Sequence, residues 1–313
     1  MPITLGCCPD TPRCVLCPPP SSTDPETVRA LIDLYRQDRC QAGQSLIVRF
    51  FGGSPPSADL LEAASPHPIE IRVRPDLLTQ QRARELRSAG VQAIEVDALT
   101  LQNRSLREAG RHYRRRRILE MLEGLRALDF RVGIVLAPGL PGTDFDTSLD
   151  DAMDVREHVD TARLHPVLVL NRSGLKTLHM EGRYRPLKLG EAVTVCRAMM
   201  DILEAGDVQV LRVGLQPGPD GFGKAVAGPR HSSLRELVEC RRMLDHLRSV
   251  LDETTSGTHI EIKCCPADVS RVRGPLNQHV RTLRAEFQLT DLDVTADEQL
   301  KRGHVQVKGS EKQ

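Results

Sequence analysis

The chain has 313 residues, of which 40% are apolar and 27% charged, and its formal net charge is +1. This balance argues against a surface built throughout to bind nucleic acid, and no stretch approaches the roughly 20 consecutive apolar residues of a membrane-spanning helix. The first residues lack the basic and then apolar pattern of a secretory signal, so we expect a cytoplasmic protein with one large α/β domain or two smaller ones.

Four of the nine cysteines stand within the first seventeen residues, at Cys7, Cys8, Cys14 and Cys17. The segment is rich in proline and has no apolar periodicity, which indicates a loop that wraps a metal. A structural zinc site needs a fourth ligand and none follows at the usual spacing, whereas three thiolates suit an iron–sulfur cluster with one open iron. Ordinary free thiols are a further interpretation of the segment. The other five cysteines are expected to be structural: Cys40, Cys196, Cys240, Cys264 and Cys265.

After this loop, helical and strand patterns alternate along the chain. The predicted strands are 45–51, 69–73, 91–96, 131–136, 161–169 and 208–215. The predicted helices are 25–39, 77–88, 103–128, 146–159, 190–205 and 232–252. Such alternation is typical of parallel βαβ units, which form either a barrel or a doubly wound sheet.

The unusual residues favour a barrel, because each group directly follows a predicted strand. Gly52-Gly53-Ser54, Arg74-Pro75-Asp76, Asp97 and Pro138–Gly142 follow four successive strands. Ligands bind at the carboxyl ends of parallel strands, and a barrel gathers those ends around one mouth. We therefore predict an α/β fold, a full or partial (β/α) barrel with a short C-terminal αβ extension packed on it. The predicted domains are 1–230 and 231–313.

Eight strings of the sequence, in this order, resemble the radical S-adenosylmethionine (SAM) superfamily, in the branch related to the radical core of the Elongator catalytic subunit. They are FFGGSPP, IRVRPD, GVQAIEVDALTLQ, LAPGLPGTD, RLHPVLVL, GRYRPLKLGEAV, RVGLQP and AGPRHSSLRELVE. The resemblance runs over about residues 3 to 245. Beyond it, SRVRGPLNQHVRTLR resembles the tail of the stand-alone members, which lack the acetyltransferase domain. The resemblance implies a barrel of radical SAM type.

The resemblance also implies a cofactor and its ligands. Cys8, Cys14 and Cys17 would hold three irons of a [4Fe-4S] cluster, and the fourth iron would bind SAM, whose reductive cleavage gives a 5′-deoxyadenosyl radical. Relatives space their ligands as Cys-x3-Cys-x2-Cys, whereas Cys8 and Cys14 are separated by five residues here, so Cys7 is an alternative first ligand. The electron donor would be a protein such as flavodoxin or ferredoxin.

Further residues take their expected roles from the same resemblance. Gly52, Gly53 and Ser54 match the motif whose backbone approaches the methionine amino group. Arg74 and Asp76 match a position near the cofactor, and the alternative for this pair is a weak surface ion pair. Gly139 and Gly142 lie in the turn expected near the adenine. His231 is the histidine expected at the mouth, whereas His165 and His259 have no assigned role.

One departure affects the substrate, because Asp97-Ala98-Leu99-Thr100 stands where relatives have Gly-Val-Gln-Ser. The resemblance therefore predicts a radical SAM enzyme with an unknown substrate. Two alternatives stay open: a non-catalytic metal-binding relative that serves as a scaffold or RNA-binding partner, and a tRNA-modifying enzyme. RNA would bind through Arg114–Arg117 in the charge run RHYRRRR, for which a solvated start of a helix is the alternative.

Overall fold

The computed structural model describes residues 2–4, 24–39, 46–171, 173–215, 225–254 and 259–310. Cys7, Cys8, Cys14, Cys17 and Cys40 lie outside these residues. The chain divides into two compact units, Met1–Ser232 and Ser233–Gln313, which are described separately below. No helix in the described ranges is both long enough and apolar enough to cross a membrane.

The described part of the first unit alternates strands and helices. Its strands are β1 (Pro2–Thr4), β2 (Val48–Phe51), β3 (Ile69–Val73), β4 (Val91–Leu99), β5 (Arg131–Leu136), β6 (Thr161–Leu164), β7 (Val169–Leu170), β8 (Gln209–Val213) and β9 (Ala225–Ala227). Its helices are α1 (Pro25–Arg39), α2 (Ala58–Ala64), α3 (Gln80–Ser88), α4 (Asn103–Glu108), α5 (Arg115–Arg126), α6 (Phe145–Val155), α7 (Gly174–Met180) and α8 (Leu189–Ala205).

Seven of these strands form one parallel sheet in the order β1-β2-β3-β4-β5-β6-β8. Because the seven strands pair in chain order, with β7 outside this sheet, and crossovers are right-handed, the sheet winds in a single direction, as in a (β/α) barrel. Within the described residues the pairing ends at β1 and at β8, so the barrel is partial. The predicted α/β barrel fold is confirmed.

The two faces of this sheet differ in chemistry. One face carries buried apolar side chains such as Phe50, Ile71 and Val96, which alternate along each strand with the residues of the other face. We call that second face the inner face, because the helices of a (β/α) barrel lie outside the sheet. Charged residues stand along it: Arg49, Glu70, Arg72, Glu95 and Arg163.

Two predicted elements are interrupted in the structure. The helix predicted over 103–128 is two helices, because Gly110 takes φ +70° and ends α4, and the amide of Arg111 then donates to the Leu106 carbonyl at 2.8 Å. The strand predicted over 161–169 ends at Leu164. Pro166 follows it, and proline has no amide hydrogen to continue the ladder.

The second unit combines helices with a small mixed sheet. Its elements are α9 (Leu234–Thr254), β10 (His259–Cys264), α10 (Val269–Arg273), α11 (Gln278–Glu286), β11 (Asp291–Ala296) and β12 (Val305–Ser310). Strand β10 is central and pairs in parallel with β11 and antiparallel with β12. Leu247, Leu251, Ile262 and Leu283 are fully buried in its core.

Candidate functional site

The carboxyl ends of β1 and β2 lie side by side, with Thr4 paired to Phe51. The chain therefore leaves β1 toward the cysteine segment at the same edge where Gly52-Gly53-Ser54 follows β2. Gly53 is buried, and its carbonyl accepts a hydrogen bond of 2.8 Å from the amide of Arg74. The glycine turn is thus fixed to the end of β3, and Cys8, Cys14 and Cys17 lie outside the described residues.

Arg74 and Asp76 form a buried ion pair at the end of β3. The Arg74 side chain is fully buried, and its Nε and Nη2 donate to the two carboxylate oxygens of Asp76 at 2.9 and 2.5 Å. The side chain of Asp76 is 22% exposed, so the carboxylate borders the mouth while the guanidinium stays beneath it. The ion pair considered as the alternative is present, and its arginine is buried whereas its aspartate reaches the surface. The expected cofactor contact of these two residues stays a prediction.

A second buried ion pair stands at the end of β4. Nη2 of Arg111 donates to Oδ2 of Asp97 at 3.0 Å, and the Tyr113 hydroxyl donates to the Asp97 carbonyl at 3.3 Å. Burial raises the pKa of that hydroxyl. Sequence reasoning missed Arg111 as a partner, because it stands at the start of a run of charges that otherwise lies on the surface.

A buried carboxyl group fixes the segment that follows β4. Asp151 of α6 accepts hydrogen bonds from the amide of Leu101 at 2.9 Å and from Nε2 of Gln102 at 3.0 Å. Burial raises the pKa of Asp151 to about 6. This contact ties the helix after β5 to the end of β4.

The arginines proposed for RNA largely bind within the protein. Nη2 of Arg115 donates to Asp154 at 2.6 Å, Nε of Arg116 donates to Glu120 at 2.7 Å, and Nη2 of Arg117 donates to the Leu78 carbonyl at 2.6 Å. Arg114 is exposed just before α5. RNA binding through Arg114–Arg117 stays a prediction that nothing in this geometry favours.

An ionic network crosses the inner face of the sheet. Nε of Arg72 and Nε of Arg163 each donate to Glu95 at 2.5 Å, one to each carboxylate oxygen. Both guanidiniums also lie over the ring of Phe51, at 4.5 and 5.6 Å from its centroid. Below them, Arg49 pairs with Glu70 at 2.5 Å. The only sequence signal for this network is the alternation of charged and apolar residues in IEIRV, AIEVD and TARL.

Side chains fill the space enclosed by the inner face. The cavity between Arg49, Phe51, Glu95 and Arg163 holds only about 60 Å³, whereas ligand pockets measure about 300–1,000 Å³. A small-molecule ligand therefore has room above this network, at the carboxyl-terminal edge, and not within it.

His165 directly follows β6, two residues after Arg163, and its Nε2 is buried with no hydrogen-bond partner in the described structure. Burial, and then the charges of Arg72, Arg163 and Arg212, lower its pKa to about 3. The ring is therefore neutral at neutral pH. Sequence reasoning selected His231 and assigned no role to His165, whereas the structure places His165 beside the charged network.

Gly139 and Gly142 follow β5 and both take positive φ, +89° and +76°. A Cβ at Gly139 would lie 2.8 Å from the Leu187 side chain, and one at Gly142 would lie 3.0 Å from the Glu108 carboxylate. Packing of the loop therefore suffices to require glycine at both positions. The loop also borders a cavity of about 760 Å³ beside Tyr184. The contact with adenine stays a prediction.

No cluster of three or more His, Cys, Asp or Glu side chains suited to a metal occurs in the described residues. Among the cysteines expected to be structural, Cys196, Cys240 and Cys264 are buried and Cys265 is partly exposed. The metal site predicted in the cysteine segment before residue 20 lies outside the described residues and stays a prediction.

Comparison with known proteins gives a family match over part of the chain. The Radical_SAM C-terminal domain family matches residues 159–245. Elongator complex protein 3 of Homo sapiens is 24% identical over 213 residues, which cover 66% of this chain and 38% of that protein. The Drosophila melanogaster protein of the same name is 23% identical over 178 residues, 55% of this chain and 31% of its own.

An archaeal enzyme is similar at the same level. The tRNA uridine(34) acetyltransferase of Methanocaldococcus jannaschii is 22% identical over 129 residues, which cover 40% of this chain and 24% of that enzyme. The matches therefore span between a quarter and two fifths of the length of these curated relatives.

Two solved structures share the fold. Methanocaldococcus infernus Elp3 with its N-terminus deleted superposes with a TM-score of 0.59 at 16% identity, covering 74% of this chain and 59% of that one. Methylornithine synthase superposes with a TM-score of 0.51 at 12% identity, covering 74% and 75%. The chain thus resembles radical SAM proteins, and the Elongator radical core among them.

Proposed function

We infer, from this resemblance to radical SAM proteins, that the chain is a radical SAM enzyme. A [4Fe-4S] cluster on Cys8, Cys14 and Cys17 would bind SAM and cleave it reductively, and the resulting radical would act on a substrate at the carboxyl-terminal edge of the sheet. The observation that carries the proposal is the parallel sheet in sequential strand order, which brings the ends of β1 to β6 and β8 to one edge.

The residues present fit this cofactor. Three thiols are the donor set that a cluster with one open iron requires, and β1, which leads into the cysteine segment, pairs with β2, which leads into Gly52-Gly53. When bound, the cluster supplies an electron to the sulfonium of SAM. Glycine suits the end of β2, because a backbone without side chains lets a ligand approach closely.

The protein side chains around this edge position and enclose the ligand. Arg74 joins the β2 turn to β3 through its amide and holds Asp76 through its guanidinium. Arg111 holds Asp97 in the same way at the end of β4. The network below, on the inner face, leaves a cavity of only about 60 Å³, which limits the space for water beneath the ligand. A reactive radical requires such exclusion of water.

The proposal needs a one-electron donor of low potential, such as flavodoxin or ferredoxin. The substrate is not fixed by the fold, because proteins with one fold act on very different molecules. The Asp97-Ala98-Leu99-Thr100 sequence at the mouth supports a substrate other than that of the Elongator relatives.

Iron and sulfide content after anaerobic reconstitution tests the cluster. We expect about four iron and four sulfide per chain for the natural sequence. Cys14→Ala and Cys17→Ala are each expected to lose the cluster, and comparison of Cys7→Ala with Cys8→Ala identifies the first ligand. Cys265→Ala, a partly exposed cysteine of the second unit, is the matched control and should keep full content. Stoichiometric zinc without sulfide in the natural protein would contradict the proposal.

A further inference from the structure

The ionic network on the inner face carries more positive than negative charge. Arg72 and Arg163 share one carboxylate, that of Glu95, so the described triad has a net charge of +1. The three side chains are only 12–17% exposed, which limits compensation by water. Both contacts use Nε of the guanidinium, and each guanidinium carries further N–H donors on its Nη atoms.

A third guanidinium lies beside this triad. Arg212 of β8 is the register partner of Arg163 across the β6–β8 pair, and its Nε donates to the Gly214 carbonyl at 3.2 Å. Burial and the charge of Arg163 both lower the pKa of Arg212, so the two cations repel each other. Arg212 therefore lies close to Arg163 near the end of β6.

The neighbouring ion pairs in the described part of the chain each join one cation to one anion: Arg49 with Glu70, Arg74 with Asp76, and Arg111 with Asp97. Within these contacts, no further carboxylate is shared with the triad.

His165 lies between these arginines and the carboxyl-terminal edge of the sheet, and its ring is neutral. Its imidazole stands at the end of β6, and each of the charges that shift its pKa belongs to an arginine: Arg72, Arg163 and Arg212. Nε2 is buried and makes no hydrogen bond in the described structure. A neutral imidazole in a field of guanidiniums can donate one hydrogen bond to an anion without a charge of its own.

An anion would offset the positive charge of this triad. Excess buried positive charge is costly unless it is paired and hydrogen-bonded. Guanidinium groups bind carboxylate and phosphate groups with short, charge-assisted hydrogen bonds.

We propose that the substrate carries an anionic group, a carboxylate or a phosphate, which binds between the Arg163 guanidinium and Nε2 of His165 at the end of β6. This inference rests on the proposed function, because it assigns the substrate class of that same site. The anionic group anchors the substrate at the end of β6. The part of the substrate that reacts with the radical then extends toward the carboxyl ends of β1 and β2.

Binding of simple anions to the anaerobically purified protein tests the inference without any need for turnover. The probes are malonate, which stands for a carboxylate group, and pyrophosphate, which stands for a phosphate group. Each is titrated by calorimetry, and the ionic strength is matched with sodium chloride. We expect saturable binding of at least one, weakened tenfold or more in Arg163→Gln and in His165→Phe. Arg115→Gln, which alters an arginine paired with Asp154, is the matched control and should bind like the natural protein.

His165→Phe keeps the proposal testable if Arg163→Gln fails to fold, because it retains a ring and leaves the Glu95 contacts in place. Equal binding by His165→Phe and the natural protein, or no binding above the chloride control, would overturn the inference. The carboxylate of SAM itself is the other source of an anion. If Arg163→Gln weakens S-adenosylhomocysteine but not 5′-methylthioadenosine, which lacks the amino acid, the network serves the cofactor and the inference is wrong.

Failure of the proposed function has a different signature. In that case iron, sulfide and 5′-deoxyadenosine are absent while anion binding and its loss in the two variants persist. If the natural protein has its full cluster content but binds neither malonate nor pyrophosphate, the inference about the substrate class is refuted and the proposed function is not.

Discussion

Arg163 of β6 reaches across β5 to Glu95 of β4, with 2.5 Å between Nε and Oε1. The strand between them carries Gly133 at the facing position, paired with Glu95 on one side and Thr161 on the other. An added Cβ at Gly133 would lie 2.7 Å from Thr161 Oγ1 and 3.4 Å from Glu95 Cγ. Glycine in the middle of a buried strand is thus what gives the glutamate side chain its room.

Replacement of this glycine should therefore be destabilising. We expect Gly133→Ala to lower the free energy of unfolding by about 1–3 kcal/mol, because the new methyl group overpacks the network. The measurement is urea unfolding at equilibrium. Gly133→Ala combined with Thr161→Ala should recover part of the loss, since the closest contact is with the threonine oxygen.

Gly124 provides the matched control for this substitution. It lies in α5, and its added Cβ would meet only Nε2 of Gln80 at 3.6 Å, an ordinary contact. Gly124→Ala should raise stability by about 0.5–1 kcal/mol, because alanine restricts the unfolded chain more than glycine. Equal effects of Gly133→Ala and Gly124→Ala would contradict the packing described for Glu95.

Loss of the shared carboxylate should destabilise the first unit strongly. Glu95→Gln leaves two buried guanidiniums next to each other without a counter-charge, and we expect a loss of about 3 kcal/mol. The control is Glu120→Gln, whose partner Arg116 lies on the surface of α5 and whose loss should leave the unfolding midpoint unchanged.

The raised pKa of the Asp151 carboxyl group should make the stability of the protein depend on pH. Burial raises its pKa from 3.8 to about 6, so the folded protein retains a proton that the unfolded chain releases. Stability should therefore fall as pH rises from about 4 to about 6, by at most about 3 kcal/mol, and then level off. In Asp151→Asn this part of the slope should disappear.

His165 contributes a slope of the opposite sign. Its pKa is lowered to about 3, so the unfolded chain takes up a proton first as pH falls below about 6.5, and stability is lost toward pH 3. The natural protein must therefore be compared with Asp151→Asn at each pH by chemical unfolding. A difference between the two that stays constant from pH 4 to pH 7 would contradict the assignment to Asp151.

The local patterns of the sequence predict most of the sheet. Strands 69–73 and 131–136 begin and end in the structure where apolar alternation places them, and the sequential βαβ order follows from helix and strand patterns alone. The break between α4 and α5 does not follow, because both halves carry helical spacing and only the positive φ of Gly110 separates them.

The ionic network on the inner face could not be predicted from local sequence patterns. Glu95 and Arg163 are 68 residues apart, and their contact depends on the register of three strands and on the glycine between them. The position of His165 beside the arginines could not be predicted for the same reason, and the role expected of His231 stays a prediction. Which histidine stands beside the arginines is a property of the assembled sheet, whereas the cysteine segment is legible in the sequence alone.

Production of 5′-deoxyadenosine tests the central claim most directly. The reconstituted protein is incubated without oxygen with SAM and dithionite, and the nucleoside is quantified by mass spectrometry beside the Cys14→Ala and Cys265→Ala variants. If the protein is a radical SAM enzyme, we expect 5′-deoxyadenosine from the natural protein and from Cys265→Ala, and none above background from Cys14→Ala. A full cluster that binds SAM and yields no 5′-deoxyadenosine would contradict this claim.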